Sequence, residues 1–150
     1  MPTEMLRAQL ADGRSRLMVS AYDALTAKVA EDAGFEVLHV TGFGVSAALA
    51  GTPDIGLLSL TEMTESCRRI CDATERPVIA DADTGHGSPL NVHRTIREFE
   101  AAGAAGVHLE DQVAQKRCGH MAGKSVIPAS DMVAKVKAAV DGRPRIGEKA

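Results

Sequence analysis

Short apolar runs alternate with longer amphipathic segments along most of the chain. The apolar runs are rich in Val, Ile and Leu, as buried strands are, whereas the longer segments have helical spacing. This alternation predicts an α/β domain in which crossover helices join parallel strands. The predicted strands span residues 17–20, 37–41, 77–82, 106–110 and 145–147, and the predicted helices span residues 24–33, 60–74, 90–102 and 130–140. Together they make four complete βα units.

The ends of the predicted helices carry recognisable signals. Thr61 is a candidate N-cap of the second helix, Ser88 of the third and Ser130 of the fourth. Gly34 and Gly103 each follow a helix, at positions where a left-handed backbone needs no Cβ. These signals support the same division of the chain.

Composition favours one globular domain over residues 1–150 and a small-molecule partner. The chain is 45% hydrophobic and 25% charged, with a net charge of −3 and no basic face for nucleic acid. No run of about 18 apolar residues and no export signal is present, so we expect no membrane association and a cytoplasmic location. Three cysteines argue against a disulfide framework, and Cys67 and Cys71 fit a core better than a metal pair.

Acidic residues follow two of the predicted strands. Asp81 and Asp83 are two apart, as are His108 and Glu110, so each pair points to one side of its strand. Because the carboxyl ends of parallel strands share one edge, all four side chains are expected to converge there. Three carboxylates make an oxygen site suited to Mg²⁺ or Mn²⁺. The alternative, that each carboxylate caps a helix or accepts from loop amides, stays open.

The segment after Glu110 carries a candidate thiol. Cys118 has Lys116 and Arg117 on one side and Gly119 and His120 on the other, so positive neighbours favour its thiolate. A loop cysteine beside solvated charges is the alternative. The glycine-containing segments at 42–44 and 85–87 match neither a Walker motif nor a dinucleotide fingerprint, although their amides suit a carboxylate.

Three motifs in order, DADTGHG at 81–87, GVHLEDQ at 106–112 and KRCGH at 116–120, resemble the isocitrate lyase and phosphoenolpyruvate mutase superfamily. The KRCGH motif resembles its lyase branch, which cleaves 2-methylisocitrate or 2,3-dimethylmalate. The resemblance runs from about residue 17 to 142. It implies the N-terminal half of a (β/α)₈ TIM barrel and a carbon–carbon lyase that yields a 2-oxo acid and a second carboxylate.

The resemblance also implies roles for individual residues. Asp83 would ligate Mg²⁺, with Asp81, Glu110 and Asp54 in the surrounding acidic network. Cys118 would protonate the carbanion left by cleavage. Lys116 and His120 would support its loop, and the substrate-binding candidates are Thr41, Gly42, Phe43, His108 and Gly119. His86 departs from the aromatic residue common at its position.

A complete (β/α)₈ barrel takes about 250 residues, and this chain has 150. We therefore expect a fragment with little lyase activity alone, and a homo-oligomer for the full-length form. Two alternatives remain. One is a phosphoenolpyruvate or carboxyphosphonoenolpyruvate mutase, against which Cys118 counts. The other is a non-catalytic module that binds a metal and an oxo acid.

Overall fold

The computed structural model describes residues 1–143 as one parallel sheet flanked by helices. The strands are β1 (Met18–Ala21), β2 (Val37–Val40), β3 (Val78–Asp81) and β4 (Gly106–His108), and they lie side by side in chain order. The helices are α1 (Pro2–Ala11), α2 (Ala24–Asp32), α3 (Gly42–Ala50), α4 (Leu60–Asp72), α5 (Pro89–Ala101) and α6 (Ala129–Asp141). The α/β class and its four βα units are thus confirmed. Within these residues, no helix combines the length and apolar character needed to cross a bilayer.

Two helices are absent from the predicted set. Helix α1 buries only Leu6, so it has no apolar stripe for a sequence pattern to reveal. Helix α3 has the sequence GFGVSAALA, which is apolar or small almost all round and has no helical period. The predicted strand at 145–147 lies outside the described residues.

The two faces of the sheet differ in chemistry. Leu38, Val40, Val78 and Ala80 point to one face, where they are fully or almost fully buried in a core that also contains Phe99. The opposite face is polar towards the carboxyl ends of its strands. There it carries Ser20, His39, Asp81 and His108, on the same side as the apolar residues Met18, Val37 and Ile79 nearer the amino ends. The helices therefore cover the apolar face, and the polar face is available for chemistry.

Most predicted helix ends are confirmed, with two corrections. Gly34 and Gly103 adopt φ of 88° and 97° after their helices, and Ser88 is the N-cap of α5. Thr61 was the wrong cap for α4: Ser59 holds that position, and its Oγ accepts from the Glu62 N–H at 3.3 Å. Helix α6 has Pro128 at its N-cap, so Ser130 lies inside the helix rather than before it. In both helices the N-cap lies two residues before the predicted one.

The cysteines behave as the sequence predicts. All three are free thiols. Cys67 is fully buried in the core, and its Sγ lies 3.8 Å from that of Cys71, one turn along α4. A packing role for this pair is therefore supported, and Cys118 is left as the cysteine outside the helical core.

Candidate metal and substrate site

Three aspartates meet at the carboxyl ends of the strands. Carboxylate oxygens of Asp54, Asp81 and Asp83 all lie within 4.8 Å of one another. Asp81 is the last residue of β3, and Asp83 lies two residues beyond it. Asp54 comes from the loop between α3 and α4, and both it and Asp83 are buried. Strand spacing predicts the pair at 81 and 83, whereas only the family resemblance pointed to Asp54.

The backbone at Asp83 is held in an uncommon conformation. Its φ is 49°, in the left-handed region that non-glycine residues seldom adopt. Its N–H donates to Asp81 Oδ1 at 2.9 Å, and its carbonyl accepts from the Glu110 N–H at 2.8 Å. Local strain of this kind persists only where surrounding contacts fix the backbone, and it is often found at functional sites. The turn directs the Asp83 carboxylate towards the other two.

Lys116 joins this cluster from the loop after β4. Its Nζ lies 3.0 Å from Asp54 Oδ1, donates to Asp83 Oδ1, and lies 3.7 Å from Glu110 Oε1. The lysine side chain is only 1% exposed. Glu110 is therefore linked to the aspartates through the ammonium group, while its side chain stays partly exposed. The lysine was expected to support its loop, and the structure also places it among the candidate metal ligands.

The charges in this pocket do not balance. Four carboxylates lie around one ammonium group, so the acidic groups outnumber their cationic partner by three. The pKa of Asp83 is raised to about 6. Burial is the largest cause and the charges of Asp81 and Asp54 add to it, while Lys116 opposes the rise. For Lys116, burial lowers the pKa, but the hydrogen bond and charge of Asp83 bring it above its ordinary value. The pocket therefore keeps its ammonium and has an excess of negative charge.

The raised pKa of Asp83 determines how its contribution to the free energy of unfolding changes with pH. Its folded pKa, about 6, exceeds the ordinary value of 3.8, so the folded state binds the proton more tightly than the unfolded chain does. Its contribution is most favourable below pH 3.8 and is lost as the pH rises through about 6. At neutral pH the loss is about 3 kcal/mol at most. A bound cation would offset it.

The donor chemistry fits a divalent cation. Carboxylate oxygens are the ligands that Mg²⁺ and Mn²⁺ prefer, and the three aspartates are close enough to hold a metal ion together. Asp81 also accepts from loop amides, as one alternative expected, since Oδ2 accepts from the Gly42 N–H at 3.3 Å. No aspartate of the cluster caps α5, because Ser88 occupies its N-cap.

The segment Thr41, Gly42 and Phe43 lies beside the aspartates at the start of α3. Thr41 is the N-cap, and its Oγ1 accepts from the Gly44 N–H at 3.3 Å. A Cβ on Gly42 would come within 2.5 Å of Asp81 Oδ2, so only glycine permits this approach. The Phe43 side chain is 52% exposed. The structure thus brings this substrate-binding candidate to the cluster.

The KRCGH residues divide into a buried and an exposed part. Lys116 and Cys118 are 3% and 6% exposed, whereas Gly119 and His120 lie at the surface. Buried Gln112 fixes the loop, because its side chain accepts from the Arg117 N–H at 3.1 Å and donates to the Arg117 carbonyl at 2.9 Å. Sequence reasoning missed Gln112, although its place directly after the acidic pair was a usable signal.

His108 lies on the polar sheet face beside the cluster and not within it. It is exposed, and its ring centroid is 5.1 Å from that of His39 on β2. Burial lowers the pKa of His39, and His108 lowers it further. Within residues 1–143, the buried Nε2 of His39 has no hydrogen-bond partner. The predicted convergence therefore brings the carboxylates together and leaves His108 paired with His39.

A cavity of about 500 Å³ is lined in part by Asp83 and Lys116. Its wall also includes His86, Asn91 and Arg94 from the loop and first turns that lead into α5. This volume is in the range of small-molecule sites. The acidic cluster therefore borders space for a ligand.

Replacement of Lys116 by Met is expected to destabilise the metal-free chain by about 3 kcal/mol, because it leaves buried carboxylates without their ammonium. Urea unfolding measures this change. Lys28→Met is the matched control, since Lys28 is 62% exposed and its ion pair with Glu31 spans 3.7 Å. An equal effect of both substitutions would contradict the assigned role of Lys116.

Comparisons with known proteins identify the family of this chain. The model of the family described as phosphoenolpyruvate phosphomutase matches residues 6–147. The 2,3-dimethylmalate lyase of Eubacterium barkeri is 49% identical over 138 residues, which are 92% of this chain and 48% of the lyase. The chain thus spans about half the length of the curated relatives it matches.

This chain also matches about half the length of related solved structures. A crystal structure of 2,3-dimethylmalate lyase, described as a PEP mutase/isocitrate lyase superfamily member, superposes with a TM-score of 0.91 and 41% identity, covering 98% of this chain and 50% of that one. Phosphonopyruvate hydrolase in complex with oxalate and Mg²⁺ superposes with a TM-score of 0.86 and 33% identity, covering 97% and 49%. The expected half of a (β/α)₈ barrel is confirmed. The chain belongs to the phosphoenolpyruvate mutase/isocitrate lyase superfamily.

Proposed function

We propose that this chain carries the metal and thiol half of a Mg²⁺-dependent carbon–carbon lyase. The substrate class is a 2-hydroxy polycarboxylate, such as 2,3-dimethylmalate or 2-methylisocitrate, and the products are a 2-oxo acid and a second carboxylate. One observation carries the proposal: in a cluster of three aspartates, the two buried ones contact Lys116, and Cys118 lies buried two residues further along the same loop. Relatives named as lyases of these two substrates support it.

Asp54, Asp81 and Asp83 would hold the metal. Their hard oxygen ligands and unbalanced charge favour Mg²⁺, with Mn²⁺ as a substitute. A structural neighbour at 33% identity was solved with oxalate and Mg²⁺. When bound, Mg²⁺ would offset negative charge that develops on the oxygens of a 2-hydroxy or 2-oxo acid. Glu110 is linked to these aspartates by its ion pair with Lys116, and it would lie at the outer edge of the metal site.

Cleavage moves a proton at each end of the broken bond. Only the departing carbon gains a proton; at the other end the substrate hydroxyl would release its proton to solvent and become the carbonyl of the 2-oxo acid, while the electrons of the broken carbon–carbon bond pass to the departing carbon. Cys118 would donate its thiol proton to that carbon and be reprotonated from solvent afterwards. Because Cys118 is only 6% exposed, water has little access to compete with the thiol. Lys116 and His120 would hold its loop, with Lys116 anchored on the acidic cluster.

The substrate's carboxylate would bind near the start of α3. Thr41, Gly42 and Phe43 supply a hydroxyl and helix-terminal amides, groups suited to an anion. Gly42 brings that turn to within a hydrogen bond of Asp81. His108 and Gly119 are proposed as further contacts, on the polar sheet face and on the exposed part of the loop.

We also propose that residues 1–150 form a single partial barrel domain, that the 150-residue chain turns over little substrate by itself, and that the full-length enzyme is a homo-oligomer.

A second candidate is a phosphomutase reaction, which moves phosphorus rather than cleaving a carbon–carbon bond. It is favoured by the description of the family whose model matches, phosphoenolpyruvate phosphomutase. The metal site would serve either reaction, so it does not discriminate between them. The buried thiol at Cys118 does, because carbon–carbon cleavage requires a proton donor at the departing carbon and phosphorus transfer does not.

Replacement of Asp83 by Asn tests the metal site. We expect it to weaken Mg²⁺ binding at least tenfold in calorimetric titration, because a charged ligand is lost. We also expect the metal-free chain to become more stable by about 1–3 kcal/mol at neutral pH, because the buried charge is removed. The control is Asp72→Asn, at an exposed position at the end of α4. Unchanged Mg²⁺ affinity in Asp83→Asn, with wild-type binding present, would exclude Asp83 as a ligand.

The thiol is tested in a chimera in which residues 1–143 replace the matching half of the Eubacterium barkeri 2,3-dimethylmalate lyase. We expect it to form a 2-oxo acid from 2,3-dimethylmalate with Mg²⁺. Cys118→Ser should lower kcat by about 100-fold or more, the usual contribution of a positioned acid. Cys71→Ser on α4 should leave kcat within about twofold, because Cys71 lies outside the site. Undiminished turnover by the Cys118→Ser chimera would reject the proposed proton donor.

A further inference from the structure

A lysine from helix α6 reaches the acidic turn. Lys135 Nζ donates to the Thr84 carbonyl at 2.8 Å, across 51 residues of sequence. Thr84 directly follows Asp83, so this bond ends on the carbonyl of the residue after the proposed metal ligand. Lys135 is partly buried, and no sequence motif marks it. The contact thus links α6 to the site without touching a carboxylate.

The turn that Lys135 contacts needs support. Asp83 and His86 have φ of 49° and 56°, and both conformations cost free energy for residues with a Cβ. Helix α5 holds the next carbonyl, because buried Thr95 Oγ1 donates to the carbonyl of Gly85 at 3.1 Å. Two helices therefore each fix one of two successive carbonyls in the strained turn.

Helix α6 is itself well placed to act as a support. It packs along α5, and at its end a Cβ on Gly142 would come within 2.7 Å of the His93 carbonyl, which shows how closely the two helices approach. No side chain of α6 is fully buried. The lysine contact is therefore a specific connection between α6 and the turn, rather than a by-product of a shared core.

We propose that Lys135 is a positioning residue for the metal site, holding the Asp83 carboxylate in its binding orientation through the Thr84 carbonyl. The inference rests on the proposed function, because it assigns Lys135 a part in that site. Without the Lys135 bond, the strained peptide can relax, and the carboxylate then leaves the other two aspartates. Arginine is long enough to keep the contact, and methionine is not able to donate.

The test compares Lys135→Met and Lys135→Arg with wild type, and uses Lys137→Met as the control. Lys137 is exposed on the same helix, and within residues 1–143 it makes no side-chain hydrogen bond. Mn²⁺ affinity is measured by electron paramagnetic resonance on the 150-residue chain. Amide hydrogen exchange of residues 82–88 is followed separately on the metal-free proteins.

For Lys135→Met we expect five- to tenfold weaker Mn²⁺ binding and at least fivefold faster exchange in the turn. Lys135→Arg and Lys137→Met should both stay within twofold of wild type in affinity and exchange. Unchanged exchange in Lys135→Met would overturn the anchoring contact, whether or not metal binds. Faster exchange with unchanged Mn²⁺ affinity would overturn the positioning role. Absence of Mn²⁺ binding to wild type would instead reject the metal site of the proposed function.

Discussion

The excess of negative charge at the carboxyl ends of β3 and β4 is the constraint on which the site depends. Asp54, Asp81, Asp83 and Glu110 surround Lys116, whose single ammonium group cannot neutralise them. Burying unpaired charge is costly, and such an arrangement is retained where a cation or a reaction uses it. The cost is visible in the raised pKa of Asp83, which burial brings to about 6. The chain thus gives up stability at the proposed metal site.

The acidic cluster explains the identity and the contacts of the residues around it. Gly42 is required because any side chain there would collide with Asp81. The strained backbone of Asp83 is fixed by Glu110 from the segment that follows β4 and by Lys135 through Thr84. These contacts come from separate βα units, so the site forms only when the sheet does. Stability and function are linked through the same few hydrogen bonds.

Sequence periodicity predicts the scaffold better than the details of the site. Strand spacing predicts that Asp81 and Asp83 meet, but the reason it gives is wrong for Asp83: β3 ends at Asp81, and a left-handed turn directs the Asp83 carboxylate to its partners. Asp54 could not be found in that way, since it lies in a loop that has no period. Helix α3 was missed because a nearly uniform run of small and apolar residues carries no helical signal. Lys135 is invisible in the sequence, because its contact depends on how α6 packs on α5.

The most direct measurement is a crystal of the chain grown with Mn²⁺ and examined by anomalous diffraction. The predicted result is one strong anomalous peak bounded by carboxylate oxygens of Asp54, Asp81 and Asp83, with Lys116 Nζ moved from its present contact with Asp83. A well-ordered crystal with no peak at this cluster, or with Mn²⁺ bound only elsewhere, would contradict the claim that the unbalanced charge is there to hold a divalent cation.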